Sequence, residues 1–173
     1  MASFGILFFF AVTGLTLNHT DWFGEVQKVS QQKGSLNPAW LTAPAKLEIV
    51  EFLRGSHGIR GALSDFRIED AQCAVSFKGP GYTADVLIDR STGSFELTET
   101  RMGFIAVIND LHKGRDSGKA WAWMIDLSAV LMILVSISGM VLILFLQKRL
   151  VTGLITAAVG GAFCYLMYVK WVP

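Results

Sequence analysis

The chain has 173 residues, of which 52% are hydrophobic, and a mean hydropathy of +0.46, which is too apolar for a soluble domain of this length. Its apolar residues are bunched into runs and not spaced at helix or strand period, which marks an integral membrane protein with the lipid bilayer as its first partner. A formal net charge of +1 without a clustered basic face excludes nucleic acid as a partner.

The first apolar run, Phe4 to Leu17, falls short of the roughly 17 to 25 residues of a spanning helix unless it is counted from Met1. It has neither a basic n-region nor a small-x-small cleavage site before Asn18-His19-Thr20, so residues 1–18 read as a retained anchor and not a signal peptide. A late start codon is one account of its shortness. Trp22 and Phe23 then place aromatic rings at the headgroup level.

Lys28 to Pro44 is rich in Gln, Lys, Gly, Ser, Asn and Pro and has no sustained period, so it reads as a connection, with Pro44 as the first residue of a helix. From Ala45 to Arg54, Leu47, Val50, Phe52 and Leu53 are apolar while Lys46, Glu48 and Glu51 are free to face water. That pattern predicts a short amphipathic helix ended by Gly55 or Gly58. Alternation over Ser64–Glu69, Cys73–Lys78, Ala84–Asp89 and Ser94–Thr98, with turns at Gly79-Pro80-Gly81 and Arg90-Ser91-Thr92-Gly93, predicts four antiparallel strands. Phe104 to Leu111 fits a second amphipathic helix, and together these elements make a small α+β domain over residues 19–119.

Ala120 to Leu146, interrupted by Asp126 and a few hydroxyls, is long enough to cross the bilayer, and residues 120–146 are the second span. Leu150 to Val169 contains no charge and carries Gly153, Gly160 and Gly161, which suits close helix packing; residues 151–170 are the third. Trp121 and Trp123, then Tyr165, Tyr168 and Trp171, fall at the same interface as Trp22 and Phe23. The loop 147–150 between these spans holds Lys148 and Arg149, and short basic loops stay in the cytoplasm. The N-terminus is then inside, and residues 19–119 lie outside, in the periplasm of a Gram-negative cell.

The sequence has three histidines. His19 closes the first span and His112 precedes the second, so two imidazoles from neighbouring helices could hold one haem iron from opposite faces. The alternative is that both are interfacial side chains bonded to backbone or headgroups. Lys113, Arg115 and Lys119 could bind haem propionates, an anionic ferric chelate or lipid phosphates. Three helices are a thin wrapper for a macrocycle, and a homodimer sharing ligands stays open. His57, in Gly55-Ser56-His57-Gly58, is expected to cap the preceding helix before it binds metal. Asp126 is expected to pair with Lys119 or Arg115, or to tune a proton or ligand. Asp65, Glu69 and Asp70 match no metal loop and read as a solvated strand edge. Cys73 and Cys164 fall in different regions, so an intrachain disulfide is not expected, and both read as buried small hydrophobes. No nucleophile elbow, phosphate loop, dinucleotide fingerprint, zinc-protease helix or Cys-x-x-Cys pair is present, which removes hydrolase, kinase and nicotinamide readings.

Thr13-Gly14-Leu15-Thr16-Leu17-Asn18-His19, Val75-Ser76-Phe77-Lys78-Gly79-Pro80-Gly81-Tyr82, Asp89-Arg90 with Thr92-Gly93, and Asn109-Asp110-Leu111-His112-Lys113-Gly114-Arg115-Asp116 resemble the PepSY-associated transmembrane-helix proteins of bacteria over nearly the whole chain. The resemblance implies a membrane α-helical fold, three transmembrane helices carrying a small α+β PepSY-like periplasmic domain in the bacterial inner membrane. Some members resemble haem-containing iron reductases, which implies haem b as cofactor, a ferric or ferric-siderophore chelate as substrate, and a membrane quinol or partner as donor. Haem would then be held by His19 and His112 as iron ligands, with Lys113 and Arg115 nearby. Longer relatives have basic and His residues before the first span and more spans, so a second haem near the cytoplasmic face has no support in this chain. PepSY-like domains are also linked to peptidase regulation, which gives the alternative of a non-enzymatic anchored module that binds a periplasmic partner.

Overall fold

The computed structural model describes all residues except 25, 38, 43–44, 146–149 and 173. The basic loop Lys148-Arg149, the helix start at Pro44 and the terminal Pro173 therefore lie outside the described residues. The described chain divides into two units, residues 4–126 and residues 1–3 with 127–173.

The first unit begins with α1 (Ala2–Asn18), whose opening residues belong to the other unit, and a single 3-10 turn, Thr20–Trp22. Then come β1 (Gln27–Ser35), a four-residue α2 (Ala39–Thr42), α3 (Lys46–His57), β2 (Ala62–Ile68), β3 (Gln72–Gly79), β4 (Tyr82–Asp89), β5 (Ser94–Met102) and α4 (Phe104–Lys113). The strands form one antiparallel sheet in the order β1-β5-β4-β3-β2. The predicted α+β domain is present, with five strands instead of four.

The extra strand is β1, which lies inside the stretch read from sequence as a connection. Its sequence, Gln-Lys-Val-Ser-Gln-Gln-Lys-Gly-Ser, has one aliphatic residue, and all its residues except half-buried Gly34 are exposed. It pairs with β5 over nine residues, Gln27 opposite Met102 through Ser35 opposite Ser94. Backbone hydrogen bonds hold this edge strand, so neither face needs apolar residues and the two-residue period has nothing to report.

The inner three strands carry the core. Cys73, Val75 and Phe77 on β3, Ala84, Val86 and Ile88 on β4, and Phe95 and Leu97 on β5 are all buried, as strand alternation requires on one face. Ile49, Val50 and Leu53 of α3 cover them, with Leu36, Leu41 and Ile59 closing the margins. Helix α3 ends where Gly58 donates its N–H to the Arg54 carbonyl at 3.0 Å, the later of the two glycine ends expected.

The β3–β4 turn is fixed to α4. The N–H of Gly81 donates to Asp110 Oδ2 at 2.9 Å, and Met102 N–H donates to the Gly81 carbonyl at 2.8 Å. Gly81 has φ +64, and a Cβ there would stand 2.5 Å from Val107 Cγ2, so both backbone and space call for glycine. The Asp89–Gly93 turn is closed by Asp89, whose carboxylate accepts from Ser91 N–H, Ser91 Oγ and Thr92 N–H at 2.8, 2.6 and 3.1 Å.

Helices α5 (Gly118–Phe145) and α6 (Leu150–Trp171) are each long and apolar enough to cross a membrane, with α5 beginning in the first unit and passing into the second. Helix α1 is a shorter apolar helix of 17 residues, about 25 Å at 1.5 Å per residue.

Candidate functional site

Asn109 and His112 stand one turn apart on α4 and share a face; Thr13 and Thr16 do the same on α1. The two pairs meet in antiparallel order. Thr16 donates its hydroxyl hydrogen to Asn109 Oδ1 at 2.7 Å, and His112 Nδ1 lies 2.5 Å from Thr13 Oγ1. Thr13 and Thr16 are 2% and 7% exposed and Asn109 is 7%, so these polar groups are sealed between the helices and satisfied by each other.

The hydrogen-bond network fixes the imidazole. Thr13 donates its hydroxyl hydrogen to the Phe9 carbonyl at 2.7 Å. With the hydroxyl hydrogen directed to Phe9, the contact takes the Nδ1–H tautomer of His112, in which the ring's lone pair lies on Nε2. The Phe10 ring stands edge-on to the same imidazole at 5.1 Å between centroids, so one side of His112 is apolar.

His19 follows the last residue of α1. Its N–H donates to the Leu15 carbonyl, and its own carbonyl accepts the Trp22 N–H, both at 3.2 Å. Its imidazole stacks on the Trp22 indole, 3.9 Å between centroids and 10° between planes. Neither ring nitrogen of His19 has a hydrogen-bond partner among the described residues. Six residues separate His19 from Thr13, about 9 Å of helix rise. The two candidate ligand histidines thus rest on separate partners, His19 on Trp22 and His112 on Thr13 and Phe10.

Lys113 is the last residue of α4, and Arg115 lies in the turn after it, where its N–H donates to the Asp110 carbonyl at 2.9 Å. Both side chains are exposed, and no ion pair involves them among the described residues. Trp121, expected as an interfacial aromatic, donates its indole N–H to the Leu111 carbonyl at 2.7 Å and ties the start of α5 to α4.

Other candidates take different roles. His57 does not cap α3; its Nδ1 lies 3.0 Å from Gln32 Oε1 and its ring packs against Phe95, which joins α3 to the edge strand. Asp65 pairs with Arg67 at 2.6 Å, while the backbone carbonyls of Glu69 and Asp70 accept from Arg90 Nη1 at 2.9 and 3.3 Å and the Glu69 N–H donates to the Gln72 carbonyl at 2.8 Å. Among the described residues no group of three or more His, Cys, Asp or Glu is placed to hold a metal ion. Asp126 is exposed on α5 and pairs with neither Lys119 nor Arg115. Cys73 is buried, and burial raises its thiol pKa, so it stays protonated and inert; Cys164 is free and exposed on α6 and not buried.

The parts that sequence reasoning missed are the partners: Thr13, Thr16 and Asn109 around His112, and Asp110 beneath the Gly81 turn. Their one sequence signal is the matching i, i+3 spacing of Thr13-x-x-Thr16 and Asn109-x-x-His112. Three of the four segments that resemble the PepSY-associated proteins converge here, since α1, the Gly79-Pro80-Gly81 turn and α4 are joined by these contacts. No curated protein and no solved structure matches the chain. The family model described as PepSY_TM-like matches residues 1–173, and the chain belongs to that family.

Proposed function

We propose that the chain is an inner-membrane electron-transfer protein that holds one haem b where α1 and α4 meet and passes electrons to a ferric chelate outside. The single observation that supports this reading is the His112–Thr13 contact at 2.5 Å; with Nδ1 as its donor, Nε2 is the ligand-competent nitrogen. His19 has both ring nitrogens open and is the second candidate ligand, from the same chain or across a two-fold axis in a homodimer. The donor set fits the group: neutral imidazoles for the iron, and the exposed cations Lys113 and Arg115 for propionates. Haem b, when bound, supplies one-electron redox chemistry; the protein supplies ligation, orientation and burial.

On this reading each residue has a stated task. Thr13 fixes the tautomer and rotation of His112, Phe10 keeps water from one side of the ring, and Thr16 with Asn109 holds α1 against α4. Lys113 and Arg115 attract the anionic substrate to the same surface. No histidine stands near the cytoplasmic face, so the electron donor is a quinol or partner within the membrane. Three spans with the N-terminus inside place residues 19–119 in the periplasm, where a ferric substrate is met.

The test is the absorption spectrum of the full chain purified in detergent from cells supplied with iron and haem. A haem b spectrum that shifts on reduction, and is lost in His19→Ala and in His112→Ala, is expected. Thr13→Val should broaden or shift it while Thr13→Ser preserves it, because serine keeps the acceptor oxygen. A colourless protein sinks the reading.

A second reading has its own observation. Thr16 and Asn109 form the same kind of contact one turn away without any ligating atom, so the polar pairs also serve as a purely mechanical joint. A colourless, folded protein would leave the membrane-anchored PepSY module that binds a periplasmic partner.

A further inference from the structure

The surroundings of His112 single out one more residue of α1. Phe10, Thr13 and Gly14 stand at i, i+3 and i+4 on that helix, the spacing of a hole that takes a side chain from a neighbouring helix. His112 of α4 is the side chain that enters it. Thr13 Oγ1 meets Nδ1, and the Phe10 ring stands edge-on at 5.1 Å between centroids. The third member of the hole has no side chain. Outside the backbone of its own helix, a Cβ built on Gly14 would meet one atom within 4 Å, Cε1 of His112 at 3.8 Å. Nε2 is the next atom of the ring. The space that Gly14 leaves open is therefore one bond from the nitrogen that carries the lone pair.

Helix packing alone does not call for this glycine. Its φ is not left-handed, 3.8 Å is ordinary van der Waals contact, and alanine favours a helix interior over glycine. Gly14→Ala would thus rest against the imidazole without strain. Gly5, the other glycine of α1, has nothing within 4 Å of the same position, so of the two it is Gly14 that faces α4. What Gly14 supplies is room for more than a methyl group.

We propose that Gly14 is the opening through which a ligand, on the haem reading the flat macrocycle, reaches Nε2 of His112. The identity of the ligand rests on that reading, whereas the opening rests on the contacts of the imidazole. A macrocycle extends well to each side of its iron, so a nitrogen that ligates it needs clear space alongside. Thr13 occupies Nδ1 and Phe10 lines one side, which leaves the Gly14 side to decide the clearance. A branched side chain there would grow past Cε1 toward Nε2 and fill the space. A methyl group would stop at Cε1.

Carbethoxylation by diethyl pyrocarbonate reads this opening without any cofactor, because the reagent acylates an accessible neutral imidazole nitrogen. The full chain is purified in detergent without added haem, and modification is followed residue by residue by peptide mass spectrometry, with His57 as the internal reference. A hemin titration by absorbance is run on the same samples. The unmodified chain and Gly14→Ala should react at His112 and take up hemin. Gly14→Leu should lose both while its melting curve and the His57 signal stay unchanged, since leucine is a strong helix former. Gly14→Met, unbranched and flexible, serves as the second blocking variant if leucine disturbs the α1–α4 contact. Protection of His112 in Gly14→Leu with no hemin bound by any of the chains keeps the opening and removes the haem reading. Equal carbethoxylation of His112 in the unmodified chain and in folded Gly14→Leu overturns the proposal. Undiminished hemin uptake by that variant does the same, as does a His112 that resists the reagent in the unmodified chain.

Discussion

Thr13 orients His112: its hydroxyl oxygen stands 2.5 Å from Nδ1, the contact that fixes the rotation of the ring. A hydroxyl adds no charge, so it orients the ring without bringing an ion pair to it. Arg90 shows the opposite use of a charged side chain. It donates to the carbonyls of Glu69, Asp70 and Leu41, so a residue within one of the family-like segments is a staple between the β2–β3 turn and α2. Its neighbour Asp89 has a pKa below the ordinary 3.8, chiefly because the Ser91 hydroxyl and then the Thr92 and Ser91 amides bond its charged form. A depressed acid contributes stability that is present above its unfolded pKa and is lost as pH falls through the folded one. The thermal midpoint of the detergent-solubilised chain should therefore drop as pH is lowered from about 6 to about 3, and less so in Asp89→Asn. Circular dichroism melts that run parallel in the two proteins would contradict this assignment.

Among elements, the inner strands and both amphipathic helices were legible because each buries one face, and burial imposes a period. Phe77, Val75 and Cys73 alternate with Ser76 and Ala74, and that pattern is visible in the sequence alone. Strand β1 was not legible, since its pairing is backbone to backbone and its Lys28 and Lys33 are the charges that protect an edge. The candidate site was half legible for a related reason. His19 and His112 stand out as histidines at the ends of apolar runs, but hydroxyls inside an apolar run are ordinary span composition, so the i, i+3 spacing of Thr13 and Thr16 gains its meaning only once α4 is placed against them. The Gly79-Pro80-Gly81 turn was visible as a turn, whereas its clamp to α4 depends on a contact 29 residues away in sequence. That clamp is open to test by Gly81→Ala. A left-handed alanine costs about 1–2 kcal/mol and the collision with Val107 about 1–3 kcal/mol more. The variant should lose about 2–5 kcal/mol of stability, measured by denaturant unfolding in micelles. Gly81→Ala combined with Val107→Ala should regain the steric part, and a double variant no better than the single one would show that Val107 is not the obstacle.

For the molecule as a whole, orientation in the membrane rests on a narrow charge difference. Lys148 and Arg149 are the only Lys or Arg between residues 120 and 169, while Lys113 and Arg115 stand just before α5 and Lys119 is in its first turn. Three basic residues on the expected outer side oppose two on the expected inner side, so the bias from this pair of loops alone is weak. The balance shifts because the segment between α1 and α5 is a folded unit with a five-stranded sheet, and long domains translocate largely regardless of their own charge. The basic-residue count then weighs mainly on the short α5–α6 connection, where Lys148 and Arg149 act unopposed. A reporter fused after residue 172 should accordingly be outside, with alkaline phosphatase active there and inactive when fused between α5 and α6. Lys148→Glu with Arg149→Glu should weaken the preference and give mixed topology, since acidic residues retain a loop poorly. A phosphatase fusion after residue 172 that stays inactive in the unmodified chain would invert the orientation, and with it the proposal that His19 and His112 face the periplasm.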